Sequence, residues 1–124
     1  KSKDERMTYV WVFVGGGLGS LCRFGLAQWL NRSGDYPWGT LLANGLACII
    51  FGVLVGVASK QSLSAEARLL LMTGFCGGFS TFSTFSNELI QMLRQTDYTS
   101  AFVYLMLSMI FGLLAILLGM RIAA

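Results

Sequence analysis

The chain has 124 residues, of which 55% are hydrophobic and only 12% charged, and its mean hydropathy is +0.65. Soluble domains carry about 25% charged residues, and small ones need a larger share of polar cover, so this composition excludes an ordinary soluble globule and indicates a membrane protein. The absence of histidine excludes Ser–His and Cys–His catalytic pairs and histidine-ligated metal sites. The net charge of +3 is scattered, whereas nucleic-acid binding needs a basic patch, so no nucleic-acid partner is expected.

Four stretches of the chain are long and apolar enough to cross a membrane as helices, which takes about 20 residues at 1.5 Å each. The charged segment Lys1–Arg6 before them is a tail or a non-native remnant, since Met7 can serve as a start. The predicted fold is an all-α integral membrane protein, with one four-helix domain over 7–124. We predict its transmembrane helices at about 7–30, 38–59, 69–93 and 98–120.

The first span contains Gly15 and Gly19, a small-xxx-small pair that predicts close packing against another helix. Arg23 follows four residues later on the same face. Two interpretations of this arginine stay open: its charge snorkels to the membrane interface, or it lines an anion vestibule. Cys22, like Cys48 and Cys76, falls inside an apolar span, which predicts free buried thiols.

The second span separates its polar side chains from its glycines. Thr40 and Asn44 stand four residues apart and form one polar stripe. Gly45, Gly52 and Gly56 lie on another side and predict a packing face. The Asn44 amide serves either an anion or a neighbouring helix.

The third span has a glycine pair, Gly77 and Gly78, followed by a run of phenylalanines and hydroxyls. Glycines weaken a helix, so we predict a break near residues 77–80, at mid-membrane. Unwound carbonyls there can hold a cation, and the new helix N-terminus favours an anion. The spacing of three places Phe79, Phe82 and Phe85 on one face. Hydroxyls occupy most of the remainder: Ser80, Thr81, Ser83, Thr84 and Ser86.

The fourth span offers Tyr104 and Ser108 as a thin polar track, four residues apart. Charges in the connections bear on orientation. With Lys1–Arg6 included, six Lys or Arg residues lie on one side and two on the other; without that segment, the positive-inside bias nearly vanishes. A chain without bias can insert both ways and pair as an antiparallel dimer, which we hold as a hypothesis.

The polar groups within the spans are mostly neutral donors, and Glu88, near the end of the third span, is the carboxylate closest to them. This pattern disfavours a cation pathway and a small multidrug-type proton-coupled exporter, which needs an acidic residue within a span. A desolvated anion instead requires several donors, and phenylalanine edges also attract it. The exporter and a non-conducting membrane assembly subunit remain the alternatives.

Three motifs stand in order along the chain: GGLGSLCR at Gly16–Arg23, GTLLAN at Gly39–Asn44 and GFCGGFSTFSTF at Gly74–Phe85. Together they resemble the bacterial fluoride channel family, Fluc or CrcB, over nearly the whole chain from Met7 onward. The resemblance implies a fluoride-selective channel of the bacterial inner membrane that passively exports toxic fluoride. It also implies an antiparallel, dual-topology homodimer in the lipid bilayer, with two fluoride pathways and a structural sodium ion at its centre.

The resemblance also implies roles for single residues. Backbone carbonyls of Gly77 and Ser80 from both chains would hold Na+, and Arg23 would lie in the vestibule. Ser80 replaces the threonine usual in the family but keeps the carbonyl, and Gly112 stands where some members have serine. Phe82 and Phe85 would contact fluoride, Asn44 matches the pore asparagine, and Tyr104 and Ser108 match the polar track. The hydroxyls of Thr40, Ser83 and Thr84 complete the predicted fluoride pathway.

Overall fold

A computed structural model of the chain describes residues 3–30, 36–61 and 63–124. Lys1 of the predicted tail, and Arg32 of the predicted first connection, lie outside the described residues. Within them, every regular element is helical. The elements are α1 (Lys3–Leu30), α2 (Trp38–Lys60), α3 (Ala65–Ala67), a π-helical segment (Arg68–Cys76), α4 (Gly77–Phe79), α5 (Phe82–Arg94) and α6 (Tyr98–Ile122).

Three helices are long and apolar enough to cross a membrane: Asp4–Leu30, Trp38–Lys60 and Tyr98–Ile122. Large apolar side chains such as Phe13 and Leu117 are exposed on their outer faces, as suits contact with lipid. The prediction of an all-helical, multi-pass membrane protein is therefore confirmed. The charged residues from Lys3 to Arg6 lie in the first turn of α1.

The predicted third span is divided into two helical halves. Ser80 (φ −86°, ψ 157°) and Thr81 (φ −151°, ψ 125°) are extended and separate α4 from α5. The glycine pair is not the point of unwinding, because Gly77 and Gly78 are both helical. Gly78 instead permits close approach, since a Cβ there would overlap the carbonyl oxygen of Gly16 in α1.

Glycine contacts join the helices in two pairs. A Cβ at Gly15 would overlap the Leu70 carbonyl oxygen, so the predicted packing role of α1 is confirmed and its partner is the third span. On α2, a Cβ at Gly52 would overlap the Ile116 carbonyl oxygen of α6. The glycine face of α2 therefore packs on α6, which leaves its Thr40–Asn44 stripe for the divided third span.

The break also separates the three phenylalanines, which do not share one face as predicted. Phe79 is buried in a small core with Ala43 and Ala47 of α2. Phe82, just beyond the break, is 79% exposed, whereas Phe85 is 8% exposed. The extended residues between Phe79 and Phe82 change the direction of the chain, so a helical spacing of three no longer applies.

The three cysteines are free thiols but differ in burial. Cys76 is buried and Cys48 is half-buried, as predicted. Cys22 is exposed on α1, so the prediction of a buried thiol there is wrong.

Candidate functional site

Asn44 holds the extended backbone at the break. Its Oδ1 accepts a hydrogen bond from the Thr81 backbone N–H at 2.8 Å, and its Nδ2 donates to the Thr81 carbonyl oxygen at 3.3 Å. Backbone polar groups inside a bundle need such partners. Asn44 of α2 thus supplies the hydrogen-bond acceptor and donor that the Thr81 backbone would otherwise lack where the helix is interrupted. One N–H of its amide remains available for another acceptor.

The second half of the third span begins directly after the Asn44–Thr81 hydrogen bonds. The Thr81 hydroxyl accepts from the backbone N–H of Thr84 at 3.2 Å and caps α5. It also lies 3.4 Å from the Ser83 hydroxyl. Ser83 and Thr84 are exposed on the first turn of α5. Because a helix N-terminus presents free N–H groups and a partial positive charge, this end of α5 favours an anion.

Arg23 contacts the first half of the third span at its C-terminal end. Its Nε donates to the Gly78 carbonyl oxygen at 3.0 Å, and its side chain is half-buried. A cation beside the last carbonyls of a helix is favourable. Neither interpretation of Arg23 predicted this contact. It depends on the position of the break in the third span, which the sequence alone does not determine.

A cavity of about 280 Å³ opens at the break, between α2, α5 and α6. It gathers five of the predicted site residues, while Cys48 and Gly112 form other parts of its wall. The Ser108 hydroxyl is buried here without a hydrogen-bond partner among the described residues. An unpartnered buried hydroxyl is a donor available to a ligand. The predicted residues in this cavity are Asn44, Ser80, Phe82, Phe85 and Ser108.

A hydrogen-bonded cluster around Glu88 adjoins this cavity; sequence reasoning assigned its two hydroxyl residues, Thr40 and Tyr104, to the fluoride pathway but did not assign Glu88. Glu88 of α5 accepts from the Tyr104 hydroxyl at 2.7 Å and from the Thr40 hydroxyl at 2.8 Å. Thr40 is 4% exposed and Tyr104 is completely buried. The signal in the sequence was a carboxylate three residues after Phe85, in a segment that remains helical as far as Arg94.

Aromatic rings run alongside the polar groups in a continuous row. The ring centroids of Phe82 and Phe85 are 6.1 Å apart, and those of Phe85 and Tyr104 are 5.1 Å apart. Tyr104 then meets Tyr36 edge-on at 5.6 Å, and Tyr36 meets Trp38 at 4.8 Å. The row joins the break in the third span to the N-terminal end of α2. Its ring edges carry partial positive charge.

A second cavity of about 430 Å³ lies on the other side of Cys48 and Ser80. Cys76 and Gly77 also line it, together with Thr73. Gly77, which is exposed, and Ser80 are the two residues predicted to hold sodium, so the structure brings them to one surface. Arg23 lines neither of these two cavities.

The similarity of this chain to known proteins identifies its family. A family model described as "CrcB-like protein, Camphor Resistance (CrcB)" matches residues 10–120. The chain belongs to the CrcB family. The match covers α2, the divided third span and most of α1 and α6, so it includes every candidate residue described above.

Several relatives in this family carry the name "Fluoride-specific ion channel FluC". The chain is 44% identical to that of Phocaeicola vulgatus over 110 residues, which are 87% of this chain and 91% of the relative. It is 40% identical to that of Thermus thermophilus, over 92% of this chain and 91% of the relative. It is also 40% identical to that of Pyrococcus abyssi, over 94% and 95%. The predicted family is confirmed, and it is a family of channels and not of enzymes.

Proposed function

We propose that this chain is a fluoride-selective channel that exports fluoride passively and protects the cell from its toxicity. The observation that carries the proposal is the break at Ser80 and Thr81, which opens the N-terminus of α5 beside Asn44 and Phe82. It is supported by the relatives named fluoride-specific ion channels, which are 40–44% identical to this chain over most of its length. The membrane in question is the bacterial inner, or plasma, membrane.

The proposed pathway replaces the water around fluoride with neutral donors in sequence. Fluoride enters by a vestibule to which Arg23 supplies positive charge, and it meets the exposed hydroxyls of Ser83 and Thr84 at the N-terminus of α5. It then passes the cavity that contains Asn44 and the unpartnered Ser108 hydroxyl. Neutral donors suit conduction, because an ion must be bound strongly enough to enter and weakly enough to leave.

The pathway continues past Phe85 to the cluster around Glu88. Thr40 and Tyr104 each donate a hydroxyl to this carboxylate, so both are donors that an arriving fluoride competes for. A buried hydroxyl that loses its partner costs about 1–3 kcal/mol. Exchange of the carboxylate for fluoride as the acceptor costs less, because each hydroxyl keeps a hydrogen bond. Glu88 thus keeps the donors satisfied while fluoride is absent.

The functional unit is proposed to be an antiparallel, dual-topology homodimer. In the single chain, Phe82 is 79% exposed beside a cavity that is open to the outside. A second copy would cover both and complete two pathways. In this arrangement four segments of each chain cross the membrane, and the divided third span is one of them. Its irregular backbone is tolerated at that depth because other helices enclose it.

The carbonyls of Gly77 and Ser80 suit a structural sodium ion. In a continuous helix they would accept from the N–H groups of Thr81 and Thr84, but these donate to Asn44 and to the Thr81 hydroxyl. Both carbonyls are thereby released from their usual helical donors. Unwound backbone carbonyls are typical Na+ ligands in membrane proteins, and two copies would supply four of them. Bound sodium would join the two chains at the break.

The proposed function is tested by ion efflux from proteoliposomes loaded with fluoride or chloride and read with ion-selective electrodes. We expect rapid fluoride efflux and negligible chloride efflux. Phe82→Ile should depress fluoride efflux while the dimer stays folded. Phe13→Ile, at an 81% exposed phenylalanine on α1, is the matched control and should leave efflux unchanged.

Each alternative has a distinct outcome in the same assay. Absence of fluoride efflux from vesicles that contain folded dimer would support the non-conducting assembly subunit. Proton movement that depends on a cationic drug would support the small multidrug-type exporter. Replacement of Na+ by a large organic cation tests the sodium site, and we expect it to weaken the dimer in detergent.

A further inference from the structure

Two buried hydroxyls lack a hydrogen-bond partner among the described residues: those of Ser108 and Tyr36. An unpartnered buried hydroxyl is unfavourable relative to one that is hydrogen-bonded or solvated. Ser108 already lies in the cavity assigned to the anion. Tyr36 lies outside every element predicted to carry a site residue, so its free hydroxyl requires a separate explanation.

The position of Tyr36 relates it to the Glu88 cluster. Its ring meets that of Tyr104 edge-on, with centroids 5.6 Å apart, and Tyr104 donates to Glu88. On the other side its ring packs against Trp38, whose side chain is 53% exposed. Tyr36 therefore stands between a completely buried tyrosine and the exposed side chain of Trp38, the first residue of α2.

Ser108 and Tyr36 approach Tyr104 from different elements. Ser108 lies one helical turn beyond Tyr104 on α6, about 6 Å along its axis, whereas Tyr36 precedes α2 and its ring meets that of Tyr104. The two unpartnered hydroxyls thus stand on opposite sides of the Glu88 cluster. Ser108 is on the side of the break, and Tyr36 is on the side where α2 begins.

We propose that the Tyr36 hydroxyl is a further anion-binding station, which receives desolvated fluoride from Tyr104 and passes it to water. The inference rests on the proposed function and extends the pathway beyond Glu88. A small hydrogen-bond-accepting anion is the ligand class, since the station offers one O–H donor and aromatic ring edges. Fluoride there satisfies the hydroxyl, which has no hydrogen-bond partner within residues 3–30, 36–61 and 63–124.

The surroundings suit release as well as binding. Burial raises the pKa of the Tyr36 phenol, and the negative charge of Asp97 raises it further. The hydroxyl therefore stays protonated and remains a donor at physiological pH. The exposed carboxylate of Asp97, which also caps α6 through Ser100, repels an anion. That repulsion keeps occupancy of the station brief, as conduction requires.

The test is Tyr36→Phe, which removes the hydroxyl and keeps the ring. Fluoride efflux from proteoliposomes should fall by several-fold to about tenfold, the effect of one lost hydrogen bond on a rate. The thermal midpoint of the dimer in detergent should stay the same or rise, because an unsatisfied buried hydroxyl has been removed. Tyr98→Phe, at a tyrosine that is 64% exposed, is the matched control and should change neither quantity.

These paired readouts separate the possible failures. Wild-type fluoride efflux with an equally active Tyr36→Phe protein would overturn the station and leave the channel intact. A Tyr36→Phe dimer that is both slower and less stable would indicate a structural hydroxyl and would also overturn the station. Absence of fluoride efflux from the wild-type dimer would overturn the proposed function, and the station with it.

Discussion

Asn44 acts toward Thr81 as the peptide group of a neighbouring strand would, since one side-chain amide bonds both the N–H and the C=O of a single extended residue. This pairing lets the third span unwind for two residues without leaving the Thr81 backbone groups unsatisfied in the interior. The shape of the break therefore depends on a residue 37 positions earlier in the chain.

We expect Asn44→Ala to destabilise the subunit and to depress fluoride efflux together. The change leaves the Thr81 N–H and C=O without partners, at about 1–3 kcal/mol for each buried group. Thermal unfolding in detergent and proteoliposome efflux measure the two effects. Asn87→Ala, at an exposed asparagine of α5, is the control and should have little effect on either. An Asn44→Ala protein of wild-type stability would contradict a stabilising role for the Asn44–Thr81 hydrogen bonds.

The two donors to Glu88 should act together. Thr40→Val and Tyr104→Phe each remove one hydrogen bond to the same carboxylate. The second loss should cost more than the first, because it leaves the charge with no donor from either side chain. A double-mutant cycle on the free energy of unfolding should give a coupling of about 0.5–3 kcal/mol. Strictly additive effects would mean that Glu88 finds another partner.

Close helix packing makes two neighbouring glycines differ in their tolerance of alanine. A Cβ at Gly15 would overlap the Leu70 carbonyl oxygen, whereas a Cβ at Gly17 has no heavy atom within 4 Å among the described residues. Gly15→Ala should therefore lower the thermal midpoint. Gly17→Ala should leave it unchanged or raise it, since alanine is favoured over glycine in a helix by about 1 kcal/mol. Equal effects of the two substitutions would show that α1 does not approach the third span this closely.

Arg23 provides a test of geometry against charge. Its Nε–H bonds the Gly78 carbonyl, and lysine retains the charge without that donor. We expect Arg23→Lys to lower fluoride efflux and thermal stability, because the end of α4 loses its hydrogen bond. If Arg23→Lys matches the wild type while Arg23→Gln is impaired, positive charge alone is what this position supplies.

The sequence predicted the features that depend on local pattern. The Gly15–Gly19 pair indicated a close helix contact, and the separation of Thr40 and Asn44 from the glycines of α2 indicated two faces. The family followed from three motifs in order. These signals are readable because small residues and hydroxyls are unusual on helices that face lipid.

Features that depend on distant contacts could not be predicted. Glycine propensity predicted a break near residues 77–80, whereas the extended residues are Ser80 and Thr81, where Asn44 can bond the Thr81 backbone. The hydrogen bond between Glu88 and Tyr104 joins α5 to α6, and the hydrogen bond between Glu88 and Thr40 joins α5 to α2. The π-helical turns of Arg68–Cys76 do not follow from a local sequence pattern. They include Leu70 and Phe75, whose carbonyl oxygens a Cβ at Gly15 or Gly19 of α1 would overlap.

The composition of α5 has a consequence for how the protein enters the membrane. This helix carries Glu88 and Arg94 as well as its hydroxyls, and its apolar residues lie mainly to one side. Membrane insertion of an isolated helix disfavours charged residues by about 2.5–3.5 kcal/mol each near the centre. We therefore expect α5 to leave the translocation machinery for the lipid only after it has packed against α2 and α6. Glu88 would then meet its hydroxyl donors before it meets hydrocarbon, so biogenesis and folding of this chain would be a single event.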